Sequence, residues 1–265
     1  DADFNVAVGF QALGTNTVGS GSVAVGAEAL HTQNPATAAT MYNTAVGHNA
    51  GYAVTTGIQN TLIGGLAGDA LTTGANNVAI GYEALSTEDD HGINVAIGYQ
   101  ALKTLNAGAD GYTTAVGYQA GTALTTGLYN TLVGALTGVA LTDADTNVAF
   151  GNAAIRADTL GSKTTAIGYQ ALTAQNFTTA TDSFNTAVGY NAGLAVTTGT
   201  NNTLIGAQAG DSITTGNTNI AVGSLALATN VAGDRNTAVG YKALEDTNPS
   251  GNVDTYNTAF GFFAG

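Results

Sequence analysis

One order of polar and apolar positions recurs along the chain. It runs Asn, a β-branched residue, Ala or Leu, then Val, Ile or Phe, and is closed by Gly, as at Asn43-Thr44-Ala45-Val46-Gly47. The closing glycines are Gly9, Gly26, Gly47, Gly64, Gly81, Gly98, Gly117, Gly134, Gly151, Gly168, Gly189, Gly206, Gly223, Gly240 and Gly261. Their usual step is 17 residues, lengthened to 19 or 21 at four places. A fixed period of that length predicts stacked units, each covering the apolar face of its neighbour, none able to fold alone. The residues before each glycine have strand propensity and alternate in character. The expected fold is therefore all-β: a parallel β-solenoid (β-roll) of about fifteen rungs, forming one elongated repeat domain over residues 1–265.

Each position of the rung carries its own expectation. Asn stands four residues before the glycine except at Ser22, Thr113 and Thr164. A column of Asn at a turn is expected to hydrogen-bond side chain to side chain up the stack. The aliphatic residue before the glycine, such as Ile97, is expected to face inward. The glycine itself belongs where φ is positive or another backbone comes too close for a Cβ. Ala follows three residues later except at Thr137, which marks a crowded interior site. The next residue is Gly or a large aliphatic. Where it is Gly (Gly51, Gly68, Gly121, Gly138, Gly193, Gly210), the residue three further on is aliphatic; where it is Leu or Ile, that residue is polar except at Leu105. One core site is thus expected to be filled from either of two backbone positions, since filling both overpacks and filling neither leaves a cavity. The two rung types alternate in pairs, giving a longer repeat of 70 to 72 residues. Its longer loops end in an aromatic: Tyr42, Tyr112, Phe184 and Tyr256. At about 4.8 Å per rung the array would make a rod of roughly 70 Å. So thin a coil gains from setting one face against other copies.

Composition narrows the functional classes. The net charge is −13, with five Lys and Arg in all, which argues against binding nucleic acid through phosphates and against an anionic membrane surface. Without Cys there is neither a disulfide scaffold nor a cysteine zinc site. No apolar run is long enough for a membrane-spanning helix. Both termini cut into the repeat, so the chain reads as a section of a longer or processed protein.

The unit at Asn94-Val95-Ala96-Ile97-Gly98 and Asn185-Thr186-Ala187-Val188-Gly189 resembles the head repeats of YadA-like trimeric autotransporter adhesins, and similar repeats in the fibres of tailed phages, notably marine ones. The resemblance extends over essentially the whole chain. It implies a left-handed parallel β-roll, a homotrimer around a common axis, a cell-surface or virion location and a role in attachment.

The residues that could carry chemistry do not converge in the sequence. His31, His48 and His91 occupy different repeat positions, and no Ser has an evident base and acid beside it. The acids Glu88-Asp89-Asp90, Asp143, Asp145, Asp182 and Asp254 neither recur at fixed positions nor match a calcium-binding nonapeptide, so they read as solvated surface charge. The Thr-Thr-Gly triplets from Thr55 to Gly216 occupy two rungs in four and read as turns. Aromatics directly after the repeat glycine (Phe10, Tyr82, Tyr99, Tyr118, Tyr169, Tyr190, Tyr241, Phe262) read first as stacked packing, with a sugar-stacking surface as the competing reading. The expectation is a non-enzymatic extracellular or virion fibre segment, spacer and adhesin, with no cofactor or metal. Its candidate contacts for a polysaccharide or protein receptor are Tyr42, Tyr112, Phe184 and Tyr256. A self-assembling filament or sheath subunit is the alternative, with an ice-binding solenoid or a polysaccharide depolymerase behind it.

Overall fold

The computed structural model describes residues 2–249, 251 and 253–265. Its regular structure is parallel β, with no helix among the described residues. The chain forms a β-solenoid in two compact units, Asp1–Asn130 and Thr131–Gly265. In the first, the strands Val6–Val8, Val23–Val25, Thr44–Val46, Thr61–Ile63, Val78–Ile80, Val95–Ile97 and Thr114–Val116 lie side by side in chain order. In the second the same holds for Thr131–Val133, Val148–Phe150, Thr165–Ile167, Thr186–Val188, Thr203–Ile205, Ile220–Val222, Thr237–Val239 and Thr258–Phe260.

Register follows the repeat. Val78 pairs with Val95, and Thr203 with Ile220. The lengthened turns keep it: Val23 pairs with Thr44, and Thr165 with Thr186. Their extra residues are accommodated off the main sheet. Three of these loops carry a short ladder of their own, Gly19–Ser20 with Ala39–Thr40, Gly161–Ser162 with Thr181–Asp182, and Gly233–Asp234 with Val253–Asp254.

The glycine column is explained by backbone contact. Gly47 has φ of 140°, and a Cβ there would stand 2.5 Å from the carbonyl oxygen of Gly64 in the next turn. No side chain fits that gap. The asparagine column is buried from Asn43 to Asn236, with Asn5 and Asn257 in the end turns half-buried. Its amides bond mainly to backbone rather than to one another, unlike the expected side-chain ladder. Asn60 Oδ1 accepts the N–H of Asn77 at 2.9 Å, and Asn60 Nδ2 donates to the Gly74 carbonyl at 2.8 Å. Asn202 does the same for Asn219 and Gly216. Buried backbone groups at the corner are thereby satisfied by a side chain from the preceding turn.

The inward residue of each strand is the middle one. Ala79, Ala96, Leu132 and Leu204 are fully buried, whereas Ile63 and Ile205 are more than a third exposed and Ile97 is half-buried. The expected inward face of Ile97 is corrected: period-two alternation, started from the buried Asn, sends Asn94 and Ala96 in and Val95 and Ile97 out.

The Gly-or-Leu exchange is steric, as expected, and involves a third partner. A Cβ on Gly51 would lie 2.6 Å from Leu62 Cδ1 and 2.9 Å from Leu30 Cδ2, and one on Gly68 would lie 2.8 Å from both Leu62 Cδ2 and Leu71 Cδ1. The strand Leu62 therefore needs both glycines. The expectation that one site is filled only once is corrected, because the polar residues of the other rung type are also buried: Gln33, Glu88, Asp158 and Gln175. Leu102 and Leu105 are both buried in one turn. Thr137, the exception to the Ala column, is buried with its hydroxyl donating to the Gly151 carbonyl at 2.6 Å.

Asn60→Ala should cost about 1–3 kcal/mol for each buried group left without a partner, the Asn77 N–H and the Gly74 carbonyl. Urea unfolding with hydrogen exchange at residues 74–78 measures it; unchanged stability and protection would show that water replaces the amide.

Candidate functional site

Four columns of exposed or half-buried side chains run along each unit, two set by the alternation of the strand and two by the corners that flank it. Two belong to the strand, such as Thr186 and Val188. One precedes the buried Asn, as Phe184 does, and one follows the glycine, as Tyr190 does. All four expected loop aromatics, Tyr42, Tyr112, Phe184 and Tyr256, are more than half exposed in that first edge column. Each has φ between 45° and 52°, the left-handed turn that precedes the Asn column, whose place Thr113 takes after Tyr112.

The sequence reading did not find what these rings rest on. Lys163 Nζ lies 5.4 Å from the centroid of Phe184, and the Arg235 guanidinium 5.6 Å from that of Tyr256. Lys163 pairs with Asp182 at 2.5 Å, and Arg235 with Asp254, which also accepts from the Tyr256 hydroxyl. The signal was available: each cation stands 21 residues before its aromatic and each acid two before it. Asp182 and Asp254, taken as surface charge, are exposed but serve these pairs. Tyr112 instead stacks on Tyr129 at 5.6 Å.

The column after the glycine forms stacks within each unit. Tyr82, Tyr99 and Tyr118 follow one another at 5.8 and 5.3 Å, within 16° of parallel. Tyr169 and Tyr190 are 5.5 Å apart, Tyr241 and Phe262 5.2 Å. Rings stacked in this way present edges to solvent, so the middle ring of the triple, Tyr99, has no free face for a sugar. Beside the triple runs a polar ladder from Gln119 to Gln100 to Glu83, ending on Lys103. Hydrogen bonds from Lys103 first, and Gln100 next, hold the Glu83 carboxyl below its ordinary pKa.

The histidines stay apart. His31 stacks on Tyr52, and His91 lies beside Glu88 and Asp89, where the three offer atoms within 4.8 Å of one another. Glu88 is buried, a correction to its reading as surface charge. Both its oxygens accept backbone N–H groups, from His91 at 3.3 Å and Ala107 at 3.2 Å, while Asp89 accepts from the Asp90 N–H. These carboxylates close a loop. The threonine triplets likewise tie turn to turn, Thr55 donating to the Thr72 carbonyl and Thr197 to that of Thr214.

Among the described residues neither unit contains a ligand-sized cavity, so what the molecule offers is surface. Three of its columns, both strand positions and the one after the glycine, carry no Asp, Glu, Lys or Arg. No family model, characterised protein or solved structure matches the chain.

One ionisable group lies deep in the second unit. Asp158 is fully buried, accepting from the Gly161 and Phe177 N–H groups and from Gln175 Nε2 at 2.6 Å. Burial raises its pKa above 3.8 despite these donors. A raised folded pKa means that the folded state holds the proton more tightly. The contribution to stability is then full below 3.8 and is lost as pH rises through the folded value. Urea midpoints measured from neutral pH downward should show this component, and Asp158→Asn should remove it; a component of opposite slope would mean that the donors outweigh desolvation.

Proposed function

We propose that the chain is a non-enzymatic segment of an extracellular or virion fibre, a rigid spacer and attachment surface assembled as a parallel homotrimer. The observation that carries this reading is the outward strand face. In the second unit it presents Thr, Val, Ile and Phe in every turn, with Ile167 and Ile205 each 38% exposed and Phe150 56%. At about 4.8 Å per turn and 3.3 Å per residue, this strip covers roughly 400 Å² of that unit. An uncharged, largely apolar patch of that size marks an interaction surface. In a chain of net charge −13 it is also the surface on which copies can meet without repulsion. The absence of cysteine suits an oxidising exterior, and the resemblance to adhesin and phage-fibre repeats supplies the trimer and the attachment role.

Light scattering should give three times the 26.2 kDa chain mass. Ile205→Asp, placed on the outward face, should dissociate the assembly while leaving the circular dichroism of the parallel sheet unchanged. A monomeric native chain would end the trimer reading, and a mass growing with concentration would favour a filament. Attachment is read by whether beads carrying the native segment are retained on purified cell-surface polysaccharide or protein more than beads carrying Ile205→Asp; equal retention would leave a spacer alone.

A further inference from the structure

The two edges of the outward face carry matched chemistry at the same turns. On the turn of strand Thr186–Val188, Phe184 stands at one edge and Tyr190 at the other, 53% and 55% exposed. On the turn before it, Lys163 stands at the first edge and Tyr169 at the second. The arrangement repeats 72 residues later with Arg235 and Tyr241, then Tyr256 and Phe262. In the first unit Tyr112 and Tyr118 again bracket one strand. So at three of the four lengthened loops both edges carry Phe or Tyr, the fourth pairing Tyr42 with His48, and in the second unit the preceding turn has a cation at one edge and a tyrosine at the other.

Within one chain these edges cannot meet, because the strand stands between them, on the order of 10 Å of extended backbone. Between copies lying parallel in register around a cyclic axis, the first edge of each meets the second edge of the next. Aromatic then faces aromatic at these turns, and in the second unit cation faces tyrosine on the turn before, pairings favourable by quadrupole geometry and by cation–π attraction. A two-fold along the stacking direction would join first edge to second in the same way but close at two chains, whereas an antiparallel two-fold across it would set each edge against its own kind.

We propose that the loop aromatics and the aromatics after the repeat glycine form an inter-chain seam between copies of this chain. Phe184 contacts Tyr190 of the next copy, and Lys163 caps Tyr169 of the next copy while keeping its own bond to Asp182. The seam rests on the homotrimer reading and adds to it a direction and a register. It also reassigns Phe184 and Tyr256 from contacts with a receptor to contacts with a second copy. The loops then serve as clasps between neighbouring copies, placed once every four turns.

The native chain has no cysteine, so thiols can be placed without background. The full chain carrying Phe184→Cys and Tyr190→Cys, treated with a short bis-maleimide and run on a denaturing gel, should give a covalent species of three chains. Each single substitution should remain a single chain. Phe184→Cys with Ser224→Cys, two turns out of register and so displaced by about 10 Å, should cross-link several-fold less. Tyr112→Cys with Tyr118→Cys repeats the test in the other unit, so one poorly folded variant does not decide the outcome. Cross-linking by either single variant would mean that like edges meet, and would overturn the seam. No cross-linking in either double variant, with light scattering of both still giving three chains, would overturn the seam and leave the trimer standing. A native chain that scatters as a monomer would remove both.

Discussion

In most turns one asparagine amide joins that turn to the next at two points. Its oxygen takes the N–H of the asparagine above and its nitrogen gives to a carbonyl at the opposite end of the same corner. Three-residue strands make too few ladder bonds to hold a corner, and a corner abandoned by water has polar groups to satisfy. The amide meets that demand from inside the coil, where Asn43, Asn60 and Asn77 are fully buried. Between turns of 17 residues the same bond recurs at the same offset. Across the lengthened turns the amide reaches 19 residues from Asn94 and 21 from Asn236. Elsewhere the strand ladder keeps the register, with the Asn185 N–H bonded to Ser183 Oγ. Every other column in the molecule, glycine, alanine, tyrosine or threonine, is a consequence of that alignment.

The inside and the outside of the coil then answer to different physics. Inside, space is so short that Ala is the usual strand residue, and a Leu such as Leu62 or Leu204 exists only where two glycines make room. The interior is not purely apolar. Gln33, Glu88, Asp158 and Gln175 form a buried polar layer on the turns where a Leu or Ile fills the neighbouring position. Outside, the larger aliphatics and the aromatics are displayed. A small coil of this kind holds much of its hydrophobic surface where a second molecule can reach it, which is why its chemistry is that of faces rather than of pockets.

The architecture was readable from the sequence because the period is an arithmetic property, and so was the role of the repeat glycine, since nothing else satisfies a positive φ against a neighbouring backbone. Which strand residue points inward was not. Propensity favours Ile97 for a core over Ala96, and only the burial of Asn94 sets the phase of the alternation. Glu88 misled for a related reason: a carboxylate in an acidic run looks solvated, while its actual partners are backbone N–H groups that no side-chain pattern reveals. The loop aromatics were legible as individual residues. Their cations were missed because Lys163 and Arg235 are distant in sequence from the rings and become neighbours only once the turns are stacked.

The Gly-Gly-Leu-Leu alternation also bears on how such a chain avoids errors. Fifteen near-identical turns invite a growing stack to skip one, looping out 17 residues and docking the next turn in its place. A skip of the turn of Thr44–Val46 would bring Leu62 against the turn whose fourth residue is Leu30 instead of Gly51, two bulky side chains in a volume that admits one. The same holds wherever a strand Leu follows the first glycine turn of a pair, as Leu132 and Leu204 do. The alternation works there as a parity check written in side-chain volume, rejecting that misalignment at the moment the turn is laid down. It also makes the block of four turns the unit in which the array can lengthen or shorten by duplication without a clash.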